Sequence, residues 1–254
     1  MIVPLLQMNL KKSYFYLYLI SFLILTSCQQ ENNILVATSA NMQFAMEELV
    51  AVYEKESNQK IDLVISSSGK LTAQIEQGAP YDIFVSANTV FPDYLYENGF
   101  SDNAPKVYAK GTLILWTLKD VDLSLEILKT DAIKKIAIAN PKTAPYGKVT
   151  VDFLKKKGIY KDIEHKFVYG ESISQVNQFI STQSVDVGFT AQAIKYTKSN
   201  PQPGVFLDLD APAVSQSALL INHRELHENA SEFYDFISSK KGKEILNRFG
   251  YKTN

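Results

Sequence analysis

Four short segments rich in small and hydroxyl side chains each follow a β-rich run and precede a helical pattern. They are residues 39–41, 66–69, 144–147 and 171–173. A helix start carries backbone N–H groups without partners and a partial positive charge. Placed beside neutral hydroxyl and amide side chains, such N–H groups suit an anionic ligand. The chemistry that these residues could perform is therefore the binding of an oxyanion by neutral hydrogen-bond donors.

Ordinary helix capping is the alternative explanation for each segment, because Ser, Thr and Asn are preferred at helix starts whatever a protein does. Two such segments in each half of the chain are more than capping requires. The first three also lack the acidic residues that helix starts often recruit. Glu171, in the fourth segment, is the exception and could point away from the site. The set favours one anion site built from both halves of the chain.

The sequence excludes a phosphate loop, because two of the residues that such a loop requires are absent. Gly69 and Lys70 resemble the end of such a loop. However, Val64 stands where the earlier glycine is required, and Leu71 replaces the Ser or Thr that would follow the lysine.

Two further catalytic patterns are also incomplete. Residues 170–174 resemble a nucleophile elbow but end in Ser174 instead of glycine. His223 and His227 have helical spacing, but Glu225 stands one position late for a zinc-protease motif. We expect surface helix residues there, and no cation-binding site in the chain.

A secreted serine hydrolase with Ser68 or Ser172 as its nucleophile stays an alternative. A serine nucleophile needs an adjacent base, and the sequence does not show which side chains lie beside either hydroxyl. His165 stands alone in its segment. The incomplete motifs favour a binding protein over an enzyme, and no cofactor is expected.

Short β-rich runs alternate with helical patterns along both halves of the chain, which is typical of parallel sheets with helices on both faces. The predicted strands are residues 34–38, 61–66, 83–86, 135–139, 165–169 and 185–190. The predicted helices are near residues 42–56, 71–77, 148–157, 173–181, 191–198, 225–239 and 242–249.

Two isolated β-rich runs, residues 113–117 and 218–221, could carry the chain between the halves. Since the ligand crevice of an open α/β sheet lies beyond the carboxyl ends of its strands, two α/β lobes with a cleft between them are predicted. We place residues 28–86 and about 213–254 in the first lobe, and about 87–212 in the second.

The N-terminus carries an export pattern. Lys11 and Lys12 precede an apolar run over residues 14–25, and Cys28, the only cysteine, follows shortly after. The run has the length of a secretory signal core and is too short to span a membrane. The pattern resembles a lipoprotein signal, which predicts removal of residues 1–27 and acylation of Cys28. A buried Cys28 in an ordinary core helix is the alternative.

The composition argues against a nucleic-acid-binding protein and against stabilisation by disulfides or a zinc–thiolate site. With 26 Lys and Arg against 27 Asp and Glu, the chain has no basic excess for nucleic-acid binding. With Cys28 acylated, no thiol remains for a disulfide or a zinc–thiolate site. A hydrophobic fraction of 46% is sufficient for a buried core to supply the stability instead.

Five groups of residues, in this order along the chain, resemble the successive motifs of the periplasmic molybdate-binding proteins that feed ABC importers. They are residues 37–41, 66–69, 78–87, 138–147 and 248–251. The resemblance covers essentially the whole mature chain. It implies a two-lobe periplasmic-binding-protein fold of type II, in which each lobe is a mostly parallel sheet flanked by helices.

In that family, the resemblance implies, molybdate lies between the lobes and is held by backbone N–H groups and neutral side-chain donors. Transferred by motif, the ligand-binding residues are Ala40, Asn41, Ser68, Tyr146 and Ile173. Asn41 stands where many members have serine. Some members take a further contact from a tyrosine after the strand ending near Thr190, but Ala191 stands there, so no contact is transferred.

Molybdate is a deprotonated dianion at neutral pH, so its site needs donors, and a carboxylate acceptor would repel it. The resemblance predicts a monomeric extracytoplasmic lipoprotein, held at a bacterial membrane by its lipid, that delivers molybdate to an ABC permease. Tungstate has nearly the same size and charge and is expected to bind as well. The alternative within binding proteins is another oxyanion, such as sulfate, thiosulfate or a phosphonate.

Overall fold

Ten strands form two five-stranded sheets in the computed structural model, which describes residues 33–197, 204–222 and 229–253. These residues belong to one unit that spans residues 33–254. The predicted signal (residues 1–27) and Cys28 lie outside the described residues, as do His223, Glu225 and His227.

The first sheet contains β1 (Ile34–Ser39), β2 (Ile61–Ser66), β3 (Ile83–Ser86), β4 (Lys106–Gly111) and β10 (Val214–Leu220). They lie in the order β2-β1-β3-β10-β4. β1 pairs in parallel with β2 and β3, whereas β10 pairs antiparallel with β3 and β4. Only β10 therefore runs against the other four strands of this sheet.

The second sheet repeats this arrangement. It contains β5 (Leu113–Thr117), β6 (Ile136–Ala139), β7 (Phe167–Gly170), β8 (Val187–Ala191) and β9 (Val205–Asp208), in the order β7-β6-β8-β5-β9. Here β5 is the strand that runs against the rest. The predicted two-lobe α/β fold is confirmed, with one antiparallel strand in each mixed sheet.

The chain crosses between the sheets at two places. β4 leads into β5 through Thr112 alone, and residues 209–213 join β9 to β10. The predicted boundary near residue 87 is therefore too early, because β4 belongs to the first sheet. Only Tyr108, Ala109 and Gly111 are buried in β4, and Lys106 and Lys110 interrupt its apolar residues, so its sequence does not show the pattern of a strand.

Eight α-helices in the described residues flank the sheets. They are α1 (Gln43–Ser57), α2 (Ser68–Glu76), α3 (Val90–Glu97), α4 (Pro145–Lys156), α5 (Tyr160–Ile163), α6 (Ile173–Ser181), α7 (Ala230–Ile237) and α8 (Lys240–Arg248). α4 begins three residues before the predicted Lys148, because Pro145 supplies a helical φ and needs no N–H partner at the first position. The segment predicted as a helix over residues 191–198 is a 3-10 helix, Gln192–Tyr196.

Each lobe has its own apolar core. In the first lobe, one buried cluster contains Met46, Leu49 and Phe233, and another contains Leu71 and Phe84. The core of the second lobe is built around Trp116, Phe153 and Phe189. Ala40 and Ala87, which follow strands of the first lobe, pack into the core cluster of the second lobe. The ends of β1 and β3 therefore meet the other lobe directly.

No helix among the described residues is long and apolar enough to cross a membrane.

Candidate functional site

One small pocket lies where the ends of strands from both lobes meet. It is lined by Ser39, Ala40, Asn41, Ser67, Ser68, Ala87, Ala144, Pro145, Tyr146 and Ile173. All five residues transferred by motif are in this set, so the structure brings them together from two lobes. None of the lining residues carries a charge.

The first wall of the pocket follows β1. Ser39 is extended and stands just before a 3-10 helix, Ala40–Met42. The backbone N–H groups of Ala40 and Asn41 have no acceptor within this helix, because they belong to its first turn. The Ser39 hydroxyl is buried and has no hydrogen-bond partner among the described residues.

The Asn41 side chain is already engaged away from the pocket. Its Nδ2 donates to Gln216 Oε1 at 2.8 Å and to Tyr251 Oη at 3.2 Å, and the Tyr251 hydroxyl donates to the Asn41 carbonyl at 2.6 Å. Asn41 can therefore offer its backbone N–H to a ligand.

The second wall is the serine segment before α2. Ser67 stands at the position where a capping side chain is expected, but it makes no capping hydrogen bond. Its hydroxyl is buried and unpaired within the described part of the chain. Ser68 Oγ accepts a hydrogen bond from the Ala87 N–H at 3.1 Å, which leaves the Ser68 hydroxyl hydrogen available for another acceptor.

The third wall is the start of α4 in the second lobe. Ala144, which has no polar side chain, precedes Pro145, so the first turn of the helix has no side-chain cap. The Tyr146 N–H has no acceptor within α4 because of its place in that turn. Gly147 allows the turn to approach β6, since a Cβ there would lie 2.1 Å from the Ala139 carbonyl oxygen.

The fourth wall, before α6, is capped in the ordinary way. Ser172 Oγ accepts from the Gln175 N–H at 3.4 Å, and Gln175 Oε1 accepts from the Glu171 N–H at 2.7 Å. Ile173, the first residue of α6, is buried and lines the pocket. Glu171 does not face the ligand space, because its carboxylate pairs with Lys70 of the first lobe at 2.5 Å.

Capping therefore accounts for the fourth segment but not for the first two. A buried hydroxyl without a partner costs roughly 1–3 kcal/mol, and native proteins leave few such groups. Ser39 and Ser67 place two of them in one pocket that is also lined by the starts of four helices. The motif transfer missed both residues and chose their neighbours Ala40 and Ser68. Sequence position alone gave no way to decide which of two adjacent residues points inward.

The two lobes touch across the pocket. The Gly69 N–H donates to the Thr143 carbonyl at 2.9 Å, and Ser174 Oγ donates to Gln43 Oε1 at 2.9 Å. Together with the Lys70–Glu171 pair, these bonds join the first lobe to the second. The structure is thus a closed arrangement in which donors from both lobes surround one small space.

The described residues that line the site present neutral polar groups and no charged side chain. Burial, followed by the proximity of Tyr251, raises the pKa of Tyr146 well above its usual value, so its hydroxyl stays protonated at neutral pH. In the described part of the chain, no cluster of three or more His, Cys, Asp or Glu residues could hold a metal cation.

The hydrolase alternative lacks a base at either candidate nucleophile. Within the described ranges, Ser68 Oγ bonds to a backbone N–H of Ala87, and Ser172 Oγ bonds to that of Gln175. An activated serine would instead have a histidine or another base within hydrogen-bond reach.

Comparison with known proteins agrees with this geometry. The sequence pattern of the bacterial extracellular solute-binding proteins matches residues 34–252. The chain belongs to this family. It is 32% identical over 235 residues to the molybdate-binding protein ModA of Azotobacter vinelandii, covering 90% of this chain and 93% of that protein.

One further relative and one solved structure are similar over comparable lengths. The molybdate-binding protein ModA of Rhodobacter capsulatus is 32% identical over 224 residues, covering 87% of this chain and 88% of that protein. The solved periplasmic molybdate-binding protein of A. vinelandii superposes with a TM-score of 0.82 at 27% identity, covering 87% of this chain and all of that one. The resemblance drawn from the motifs is confirmed.

Proposed function

We propose that this protein captures molybdate outside the cytoplasm and delivers it to an ABC importer. The observation that carries the proposal is the pair of buried, unpaired hydroxyls of Ser39 and Ser67 in a pocket without charged groups. The molybdate-binding relatives support the choice of ligand.

The donors available to the ligand come from both lobes. They are the hydroxyls of Ser39, Ser67 and Ser68 and the backbone N–H groups of Ala40, Asn41, Tyr146 and Ile173. A hydrogen bond to a charged partner contributes roughly 1.5–3 kcal/mol, so such a set outweighs the cost of ordering the complex. No Lys or Arg is required for charge neutralisation, because helix N-termini supply positive potential.

Closure of the two lobes is the step that completes the site. Donors of the first lobe receive the anion, and rotation about the crossings at Thr112 and residues 209–213 brings the donors of the second lobe to it. Hinge closure around a ligand is a known transition of such proteins. The closed form then docks on the membrane permease, and the protein itself performs no chemical step.

Selectivity follows from size and charge. Tungstate matches molybdate in both and binds comparably. Sulfate is a smaller tetrahedron, so it cannot reach every donor at about 2.8–3.0 Å. A singly protonated phosphate is disfavoured, because its O–H group finds no carboxylate acceptor among the lining residues.

A thermal-unfolding series with molybdate, tungstate, sulfate, thiosulfate and phosphate tests the ligand. A ligand at a thousandfold excess over its Kd stabilises the native state by roughly 4 kcal/mol. We expect a clear rise of Tm with molybdate and tungstate, and a small one with sulfate. Unchanged Tm at millimolar molybdate would contradict the proposal, and a larger rise with sulfate or thiosulfate would reassign the ligand to that oxyanion.

Lipid anchoring is proposed from the sequence pattern around Cys28. Cys28→Ala removes the acylation site, so we expect the protein to leave the membrane fraction of the producing cell. Its molybdate affinity should stay unchanged, because the site begins at Ser39. Membrane fractionation followed by calorimetry measures both. A variant that stays in the membrane fraction as the unaltered chain does would exclude Cys28 as the anchor.

A further inference from the structure

A group of buried residues, three of them with polar side chains, lies behind the anion pocket in the first lobe. It consists of Tyr108, Gly111, Gln216 and Tyr251, and we call it the hinge socket. None of these four residues is among those that line the anion pocket. All are buried: Tyr108 and Tyr251 are 4% and 3% exposed and Gln216 is fully enclosed. The socket adjoins the first crossing between the lobes, because Gly111 is the last residue before Thr112.

Tyr146 of the second lobe reaches into this socket. Its backbone lies in the first turn of α4 at the anion pocket, but its hydroxyl lies 2.1 Å from where a Cβ on Gly111 would be. The proximity of Tyr251 and Tyr108 contributes to raising the pKa of the Tyr146 hydroxyl, which places the three phenols near one another. The side chain thus passes from one lobe into the other.

Gly111 is required by space and not by backbone conformation. Its φ is not in the left-handed region, unlike that of Gly78 or Gly250. A Cβ at Gly111 would also lie 3.1 Å from Tyr251 Cε1 and 3.3 Å from Gln216 Nε2. The tightest contact is with the Tyr146 hydroxyl, so the missing side chain makes room for a residue of the opposite lobe.

The socket is also connected to the anion pocket on the first-lobe side. Gln216 Oε1 and the Tyr251 hydroxyl both accept from Asn41 Nδ2, and Asn41 lines the pocket. Gln216 is itself fixed by donating from Nε2 to the Val214 carbonyl at 2.8 Å. The same two side chains therefore hold Asn41 of the first lobe and border the space that receives Tyr146 of the second.

We propose that Gly111 and Tyr146 form a closure-setting pair, in which entry of the Tyr146 side chain into the hinge socket fixes the lobes at the separation that binds the anion. Gly111 acts as a positioning residue, since it touches no ligand. This inference rests on the proposed function for its ligand, but the fit of Tyr146 in the socket is independent of which anion is bound.

Gly111→Ala tests the pair, because the added methyl group fills the space of the Tyr146 hydroxyl. Overpacking of this kind corresponds to about a 5- to 150-fold change in an equilibrium constant. We expect at least a tenfold weaker Kd for molybdate, mainly through faster dissociation. In the Tyr146→Phe background the same substitution should weaken binding less than threefold, since the phenyl ring leaves room for the methyl group.

Tyr108→Phe is the matched control. It deletes another buried hydroxyl that has no partner among the described residues, but it does not remove the clash at Gly111. The Gly111→Ala, Tyr108→Phe double variant should therefore remain as weak as Gly111→Ala alone. The Gly111→Ala variant alone could fail to fold. In that case, folded protein that is recovered by adding Tyr146→Phe, but not by adding Tyr108→Phe, supports the closure-setting pair.

Exchange of the Gly69 amide hydrogen gives a readout that needs no ligand, because the unliganded protein samples the closed form and protection measures the fraction that is closed. This N–H bonds across the cleft to the Thr143 carbonyl, so its protection reports closure. We expect protection to fall in Gly111→Ala and to return when Tyr146→Phe is added. If the wild-type protein binds no oxyanion but the variants still show this exchange pattern, the proposed function is wrong and the closure-setting pair still holds. Unchanged protection in Gly111→Ala, or no rescue by Tyr146→Phe, would overturn the closure-setting pair.

Discussion

Ser67→Asp is expected to abolish oxyanion binding while the unliganded protein stays folded. Ser67 stands at the capping position of α2 with an extended backbone, and its hydroxyl is buried in the pocket without a capping bond. An aspartate there can cap the first helical turn, which stabilises helix starts by about 1 kcal/mol. The substitution also removes the Ser67 hydroxyl, one of the donors proposed for the ligand, and puts an acceptor in its place.

The loss of affinity has a second cause in charge. Unit charges about 4 Å apart near a protein surface interact by roughly 4 kcal/mol, and a dianion feels this repulsion twice. We therefore expect the Kd for molybdate to rise by at least about a thousandfold. Calorimetry measures the affinity, and urea unfolding without ligand measures the stability.

Ser67→Asn is the matched control, because it has nearly the same shape and also caps helices but carries no charge. We expect it to retain measurable binding and to differ from Ser67→Asp chiefly in affinity. Equal affinities for the two variants would show that no anion approaches residue 67. Retention of tight binding in Ser67→Asp would contradict the position of the site.

Gly147→Ala is expected to lower both the free energy of unfolding of the second lobe and the affinity of the site for its anion. A Cβ at this residue would lie 2.1 Å from the carbonyl oxygen and 2.7 Å from the carbonyl carbon of Ala139. Both are backbone atoms of β6, so no side-chain rotation can relieve the clash. Overpacking commonly costs about 1–3 kcal/mol of unfolding free energy, and we expect a loss in that range.

The same displacement moves the first turn of α4 away from the pocket. Tyr146 then loses its N–H contact with the ligand, and each such bond to a charged partner contributes roughly 1.5–3 kcal/mol. The Kd for molybdate should therefore rise about 10- to 100-fold. Urea unfolding without ligand and calorimetry with molybdate separate the two effects.

Gly170→Ala provides the comparison within the same lobe. Its Cβ would lie 3.1 Å from Val176 Cγ2, 3.2 Å from the Val176 backbone nitrogen and 3.3 Å from the Ser172 carbonyl oxygen. We expect a smaller destabilisation than for Gly147→Ala, because a shift of a few tenths of an ångström relieves these contacts. If Gly147→Ala were no worse than Gly170→Ala in stability and affinity, close approach to β6 would not position the start of α4.

The alternation of apolar runs and helical patterns predicted most of the fold. Residues 173–181 form the predicted helix with the predicted bounds, since Ser172 supplies a side-chain cap at its start. The exposed edge strand β4 and the short helix α3 were not predicted. Their apolar patterns are short, and β4 joins the first sheet only by pairing with β10, which is more than 100 residues away along the chain.

The sequence by itself determined the kind of site. Donor-rich segments at the starts of four helices, three of them without acidic residues, indicated a neutral site for an oxyanion. That inference needed only residue types and the direction of the helix dipole. The motif resemblance also named five residues that line one pocket.

Only the tertiary structure decided which groups face that pocket. Whether Ser39 or Ala40, and Ser67 or Ser68, offers a group to the pocket depends on how each helix start packs against the opposite lobe. Likewise, Gly111 has a role only because Tyr146, 35 positions later in the sequence, reaches across to it. Contacts between distant segments are not encoded in local spacing, because they arise when the two lobes close on each other.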